Sequence, residues 1–335
     1  MRRRIGSSAR ESEAKPMYDV IALGELLIDF APYGTSEQGN ALFEVCPGGA
    51  PCNMLAMLQK LGHKTAFIGK VGRDMFGDLL RETLQHLGID SSGLSMDEQV
   101  HTTLTFVHKL PNGDRDFSFY RNPGADMMLT ADDVPTDRIA ASRIFHFGTL
   151  SMTSDCAAEA TARGIAAAKA AGCLCSFDPN LRPPLWDSME RAREKMHYGF
   201  DQCDILKIAD NELQFATGET DFDAGVRRLQ KQYGIPLILL TLGKDGSRAY
   251  FGDLRVNAPA FLHDKVADTT GAGDTFCACA LHHVLEHGMD FTAESLREML
   301  TFANAAASLI TMRKGAMCAM PAAEEVADLV RTASN

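Results

Sequence analysis

The chain has 335 residues, a formal net charge of −11, a sequence pI near 5.4 and a hydrophobic content of 45%. That is enough apolar material for one large α/β domain or two smaller ones. So acidic a chain lacks the basic surface that duplex nucleic acid or an anionic membrane calls for. No apolar run approaches the about 20 residues of a spanning helix.

Residues Met1 to Pro16 carry Arg2, Arg3, Arg4, Arg10 and Lys15 among small polar residues. They lack the apolar stretch of a signal peptide and read as a disordered leader, with Met17 opening a folded domain over 17–335. Val20–Gly24 has the composition of a buried strand. Leu26–Tyr33 and Leu42–Val45 alternate apolar and polar residues, as half-buried strands do. Asn53–Leu61 has helical spacing, Thr65–Gly69 is strand-like and Gly77–Leu87 is again helical. Thr103–Lys109 and Arg115–Tyr120 alternate and are joined by Pro111-Asn112-Gly113-Asp114, a hairpin signal. Beyond them come strands at Ile144–Phe147, Leu174–Phe177, Ile205–Ile208 and Leu237–Leu242, with helices at Cys156–Ala171 and Asp223–Tyr233. The stretch from Asp274 to Val330 is mostly helical in pattern.

This βαβ rhythm predicts an α/β fold: a mostly parallel central sheet flanked by helices on both faces. Two insertions, about 29–46 and 99–120, break the rhythm and together predict a small antiparallel sheet serving as a lid. Phe30, Phe106, Phe117 and Phe119 fall on alternate positions and predict one apolar lid face for a partner. The nine cysteines include no C-x-x-C pair, so buried reduced thiols of a cytoplasmic chain are the expectation.

The most informative segment is Asp268-Thr269-Thr270-Gly271-Ala272-Gly273-Asp274-Thr275-Phe276. A Gly-rich turn feeding a helix gathers free N–H groups and the positive end of the helix dipole, which suits phosphate. Asp274 inside it reads either as a helix cap or as a base taking a proton from an attacking hydroxyl. Pro47-Gly48-Gly49-Ala50-Pro51-Cys52-Asn53 also runs into a helix, and Asn53 is either an N-cap or a ligand for sugar hydroxyls. Asp29 follows the first strand, where ligands of open α/β sheets gather; there it holds hydroxyls or is solvated on a lid edge. Gly69-Lys70-Val71-Gly72-Arg73-Asp74 reads as a solvated turn. Arg182, after another strand, either meets phosphate or belongs to a packed Pro/Trp loop. Glu212 either holds Mg²⁺ or is a first-turn helix acid. Thr241-Leu242-Gly243-Lys244-Asp245-Gly246 either floors a nucleotide pocket or is a hairpin turn. Most of these stretches fall where a strand ends, which predicts one crevice. Neither G-x-x-x-x-G-K-[ST] nor G-x-G-x-x-G occurs, so a P-loop kinase and a dinucleotide enzyme have little support.

These residues resemble the signatures of the PfkB carbohydrate kinases, the ribokinase family, from about Tyr18 to Val330. Asp268–Phe276 is similar to the C-terminal signature, and Gly48–Gly77 to the N-terminal one. Within the family the chain looks most like the fructokinases, through Gly24–Phe30, Phe119–Asp126, Phe177–Trp186 and Arg313–Met317. The resemblance implies a ribokinase-like fold and ATP-dependent phosphorylation of a sugar primary hydroxyl, most simply D-fructose to fructose 6-phosphate. 2-Keto-3-deoxygluconate and ribose stay open as substrates, and so does a non-catalytic regulator. It implies Asp274 as base and the amides of Gly271, Ala272 and Gly273 as anion hole. Asp29, Gly48, Gly49, Asn53, Arg121 and Arg182 would surround the sugar; Lys207, Thr241, Gly243, Gly246 and Asn304 would surround ATP. Glu212 would serve Mg²⁺ through water, and Asp268 and Thr270 a monovalent cation such as K⁺. Lids of relatives pair into dimers, so a cytoplasmic homodimer is expected, with sugar and ATP as partners. Two positions depart from the pattern. Ala209 stands where many relatives carry Asn or Ser, and Leu55 where they carry a small residue.

Overall fold

The computed structural model describes residues 16–109 and 115–333. In chain order the elements are β1 (Tyr18–Leu23), β2 (Leu27–Thr35), β3 (Ala41–Gly48), α1 (Ala50–Lys60), β4 (Thr65–Gly72), α2 (Met75–His86) and β5 (Asp90–Asp97). Then come β6 (Leu104–Lys109), β7 (Arg115–Tyr120), α3 (Thr136–Ala140), β8 (Ser142–Gly148), α4 (Asp155–Ala171), β9 (Leu174–Asp178), α5 (Met189–Gln202) and β10 (Ile205–Ala209). The rest is α6 (Asp210–Thr217), α7 (Phe222–Tyr233), β11 (Leu237–Thr241), β12 (Ser247–Phe251), β13 (Leu254–Ala258), α8 (Ala272–His287), α9 (Ala293–Thr311) and α10 (Ala323–Ala333).

The large sheet has the order β13-β12-β11-β10-β9-β8-β1-β4-β5. Its pairs from β11 to β5 are parallel, and β12 and β13 close one edge antiparallel. Alternation along β1 explains its continuous apolar run. Val20 and Ala22 join a core with α1, α8 and α9; Ile21 and Leu23 join a second core with α4, α5 and α7. The oversized Leu55 is fully buried in the first core, within an unbroken α1. Successive strands run from β1 to β4 and β5 on one side, then resume at β8 on the other side of β1. This reversal opens a crevice at the carboxyl ends of the strands.

The inserted strands form a second sheet, β3-β2-β6-β7. Its two hairpins are antiparallel, and the seam joining them is parallel, pairing Asp29 with Thr105 and Phe30 with Phe106. The loop Pro111–Asp114 lies outside the described residues, as does the stretch 1–15. The four phenylalanines do not share a face. Phe106 pairs across β7 with Ser118, whereas Phe117 pairs with Val107, so Phe106 and Phe117 point opposite ways. Phe30 and Phe106 stack on the outer face at 4.7 Å between centroids, with Phe43, Phe76 and Tyr120 around them. Phe117 and Phe119 face the crevice.

The stretch Lys70–Asp74 ends β4 and leads into α2, and of its charges Arg73 is solvated whereas Lys70 and Asp74 are structural. Asp74 caps α2 through the N–H groups of Phe76 and Gly77 and also accepts from Thr102, while Lys70 pairs with Asp133 at 2.8 Å. Among the described residues all nine cysteines are free, and six of them are buried. No described helix is long and apolar enough to cross a membrane.

Candidate active site

A cavity of about 1000 Å³ lies between the strand ends of the large sheet and the inner face of the small one. Of the helix starts that line it, those of α1 and α8 are opened by glycine. At Gly49, φ is 122° and a Cβ would stand 2.4 Å from the Glu25 carbonyl, so only glycine lets the chain enter α1 so close to the loop after β1. At Gly271, φ is 82°, and this left-handed residue is the N-cap of α8. The N–H of Ala272 donates to the Thr269 carbonyl at 3.3 Å, so it is not wholly free for an anion. Among the described residues those of Gly271, Gly273 and Asp274 have no such acceptor. Sixteen residues of helix behind them supply the dipole.

The two helix starts meet through side chains. Asn53 Nδ2 donates to Asp274 Oδ2 at 2.8 Å, while the buried Asn53 Oδ1 has no partner. An unpaired buried acceptor beside a carboxylate is a site built for a hydroxyl donor. Burial lifts the Asp274 carboxyl to about 6, with Asp178 adding to the rise, against Asn53, Lys207 and Arg182. Desolvation thus outweighs the donor and the two cations around the carboxyl, yet at about 6 the group stays largely ionised at pH 7.

Lys207 is buried, with Nζ 3.0 Å from each Asp178 oxygen. Burial by itself would lower its ammonium; Asp178, Glu212 and Asp274 outweigh that and hold it above the usual lysine range. A Cβ on Gly273 would lie 3.1 Å from Nζ, a tight contact, so the ammonium stands directly beside the first turn of α8. Asp178 and Glu25 are site groups that no single motif had singled out. The signal was there, since each lies at the end of an apolar strand in a quoted stretch. Glu25 Oε1 accepts from the Ala50 N–H, and burial raises its carboxyl to about 7.

Asp29 faces the cavity from β2. Burial, then the neighbouring Asp268, raises its carboxyl to about 7, against Arg182 and Thr105. Gly48 lies diagonally across on β3, where a Cβ would come 2.7 Å from Asp29 Oδ2. Arg182 is exposed at the cavity wall. Arg121 does not reach it. Its guanidinium is buried and committed to Asp126, Thr153 Oγ1 and the Leu150 carbonyl, which makes it a brace behind the lid. Trp186 is buried in the second core while Asn180, Leu181 and Arg182 line the cavity, so that stretch is packed as well as cavity-lining.

Thr241, Gly243, Gly246 and Asn304 line the other end of the cavity. The turn at 241–246 joins antiparallel β11 and β12 and also lines the cavity through Thr241, Gly243 and Gly246. Asn304 Nδ2 donates to the Ala258 and Pro259 carbonyls, which pins α9 to the sheet edge. Glu212 spends one oxygen on the Leu181 N–H and the other on the Ala209 N–H, each at 2.8 Å. From the first turn of α6 it ties the loop after β9 to the end of β10, and the second N–H that it takes is that of Ala209. Asp268 Oδ1 accepts from the Thr270 N–H at 2.8 Å, shaping the loop before α8.

The chain matches the description "pfkB family carbohydrate kinase" over residues 17–323. It is 38% identical to fructokinase-2 of Oryza sativa subsp. japonica over 335 residues, 99% of each chain. It is 39% identical to fructokinase-1 of Zea mays over 317 residues, 94% of this chain and 98% of that one. Among solved structures, the ATP-bound fructokinase of Xylella fastidiosa superposes with a TM-score of 0.87 at 32% identity, covering 95% of this chain and 100% of that one. A double-mutant fructokinase of Vibrio cholerae O395, in a fructose-, ADP- and potassium-bound form, gives 0.84 at 28% identity over 95% of this chain and 100% of that one.

Proposed function

The chain belongs to the pfkB family of carbohydrate kinases, and from that premise we propose that it transfers the γ-phosphoryl group of ATP to the 6-hydroxyl of D-fructose. The observation that carries this reading is the junction of the two helix starts: Asn53 on Asp274, with Lys207 and the α8 amides at the same point. A hydroxyl placed there meets an acceptor of pKa about 6, close to the working pH, as an effective general base requires. Asp274 takes the hydroxyl proton as the oxygen attacks phosphorus, the bond from phosphorus to the bridging oxygen breaks, and ADP leaves with the electron pair. The amides of Gly271 and Gly273 and the Lys207 ammonium face the charge that develops on the transferring group, with Ala272 contributing less.

Asp29, Gly49 and Asn53 hold the sugar against Phe117 and Phe119. Gly48 serves indirectly by giving Asp29 room, and Arg121 by bracing the lid. Thr241, Gly243, Gly246 and Asn304 hold the nucleotide, with Arg182 near its phosphates. Mg²⁺ neutralises triphosphate charge when bound. Both Glu212 oxygens already accept from amides, so that residue fits a contact through water and not direct coordination. The oxygen-rich loop at Asp268 and Thr270 fits a monovalent cation. The fructose-, ADP- and potassium-bound relative supports that assignment. The outer lid face, with Phe43 40% and Tyr120 65% exposed, supports a homodimer of a cytoplasmic enzyme.

The test is ADP release from Mg-ATP across fructose, glucose, mannose, ribose, tagatose and 2-keto-3-deoxygluconate. Fructose-dependent turnover is the expected outcome. Preference for another sugar moves the substrate and keeps the chemistry; sugar binding by calorimetry without turnover overturns the catalytic reading.

A further inference from the structure

Far from the cavity, three side chains from two elements converge. Gly62, at φ 87°, ends α1 and turns the chain, and His63 N–H closes the turn onto the Leu58 carbonyl at 3.1 Å. That drops the His63 ring, 7% exposed, against α8, which packs on α1. On α8, His282 and Glu286 are four residues apart and share one face. His63 Nε2 and His282 Nδ1 stand 2.7 Å apart, and one ligand atom from each of His63, His282 and Glu286 lies within 4.8 Å of the other two.

We propose that His63, His282 and Glu286 bind a divalent ion of the Zn²⁺ class, tying the middle of α8 to the turn after α1. Two imidazoles and a carboxylate are the donors such an ion takes, with water completing the tetrahedron. The arrangement behind His63 is also what a ligating histidine needs. Asp19 Oδ2 lies 3.7 Å from His63 Nδ1, on the side away from His282, and is itself held by the Lys64 N–H and Arg143. The carboxylate stands at ion-pair distance, and a small ring movement brings Nδ1–H to it and leaves Nε2 for the metal. The present nitrogen spacing is that of a hydrogen bond. Zn–N bonds of about 2.0–2.1 Å set tetrahedral nitrogens about 3.3 Å apart, so the rings must separate by roughly half an ångström. His282 also lines a cavity of about 530 Å³ between α8 and α9, and Glu286 is exposed, so ion and water have a way in. The ion would sit about 12 Å along the helix axis from Asp274, eight residues away, and so acts on the position of α8 rather than on the reaction.

The experiment titrates chelator-stripped full-length protein with Zn²⁺ against a chromophoric chelator, and with Co²⁺ by visible absorption. The expected result is one equivalent bound, with Co²⁺ bands of tetrahedral intensity. Glu286→Gln and His282→Gln should each weaken binding by about tenfold or more, and Asp19→Asn by about 10–100-fold. Glu286 is exposed, so its variant reports on the site even if changes at His63 disturb folding. Cys318→Ser, which removes the exposed thiol, should leave binding unchanged. Binding unaltered in both Glu286→Gln and His282→Gln, loss of the Co²⁺ signal in Cys318→Ser, or no competition with the chelator overturns the proposal.

Discussion

The two walls of the large cavity are built on different principles. On the body side the charged groups are already matched: Lys207 with Asp178, Asp274 with Asn53, Glu212 with two backbone amides. On the lid side Asp29 has Thr105 beside it and Asp268 opposing it, and its carboxyl sits near 7. The body wall is organised without a ligand, whereas the lid wall has a carboxylate that gains its donors when one arrives. Preorganisation on the body side is what favours charge developing in a transition state. An unsatisfied acceptor on the lid side is what favours capture of hydroxyls.

The sharpest way to break this contrast is at Asp274. Asp274→Ala should lower kcat by about 10²–10⁴-fold while leaving KM for the sugar within a few-fold, measured as ADP release. A base at Asp274 works only when ionised, so kcat/KM, which follows the free enzyme, should fall about tenfold per pH unit below pH 6 and lose that dependence above it. A variant that loses binding and keeps turnover would move the base elsewhere.

Next in size is the body's buried pair. Lys207→Met leaves Asp178 buried without its cation and should cost about 3–5 kcal/mol of stability, seen in urea denaturation. Adding Asp178→Asn should recover a large part of that. A single variant as stable as the parent would show that the body wall is not preorganised by charge.

Asp29 should behave in the opposite sense. Asp29→Asn should raise KM for the sugar by about 10–100-fold, as loss of hydrogen bonds to a charged acceptor does. Yet it should stabilise the free protein. A carboxyl raised on folding from its ordinary 3.8 to about 7 binds protons more tightly folded than unfolded. Its penalty is therefore absent below pH about 4, grows as pH rises and is complete above about 7. The melting temperature of Asp29→Asn should exceed that of the parent at pH 8 and match it near pH 4. The reverse order would mean that the lid wall is as well matched as the body wall.

How much of this was legible in the sequence follows the same divide. The six principal strands of the body were readable, because a strand buried on both faces must be apolar throughout, as Val20 to Leu23 are. β5, Asp90–Asp97, was not, since an edge strand of mostly polar residues has neither an apolar run nor alternation. α5 was missed for a related reason: only Ala192, Met196, Gly199 and Phe200 of its fourteen residues are buried. The glycine turns at Gly49 and Gly271 were legible because only glycine fits them. Lys207 could be read as a site residue, but its ion pair could not, because Asp178 is brought to it by strand pairing across 29 positions of sequence. Arg121 shows the limit from the other side. A lone arginine beside a lid suits a ligand, and only the fold reveals that Asp126, Thr153 and Leu150 have taken its donors.

The smallest effect concerns the lid's outer face. Alternation spread four phenylalanines along the lid strands, but pairing of Val107 with Phe117 sends two of them inward. Phe30 and Phe106 remain outside, edged by Phe43, Tyr120 and, from α2, Phe76. Such a patch is costly to leave in water, and the self-complementary way to cover it is a second copy of the same face. Phe43→Glu puts a charge on that face without touching the cavity, so it should halve the mass found by light scattering at micromolar concentration. The sugar's KM should rise only modestly, because Asp29 lies one strand away on the opposite face of the lid sheet. A monomeric parent would mean that the outer face serves something other than self-association. A dimeric variant with unchanged KM would place the contact elsewhere on the molecule. A monomeric variant with raised KM would join the two faces: the partner stiffens the sheet on one side so that Asp29 can hold the sugar on the other.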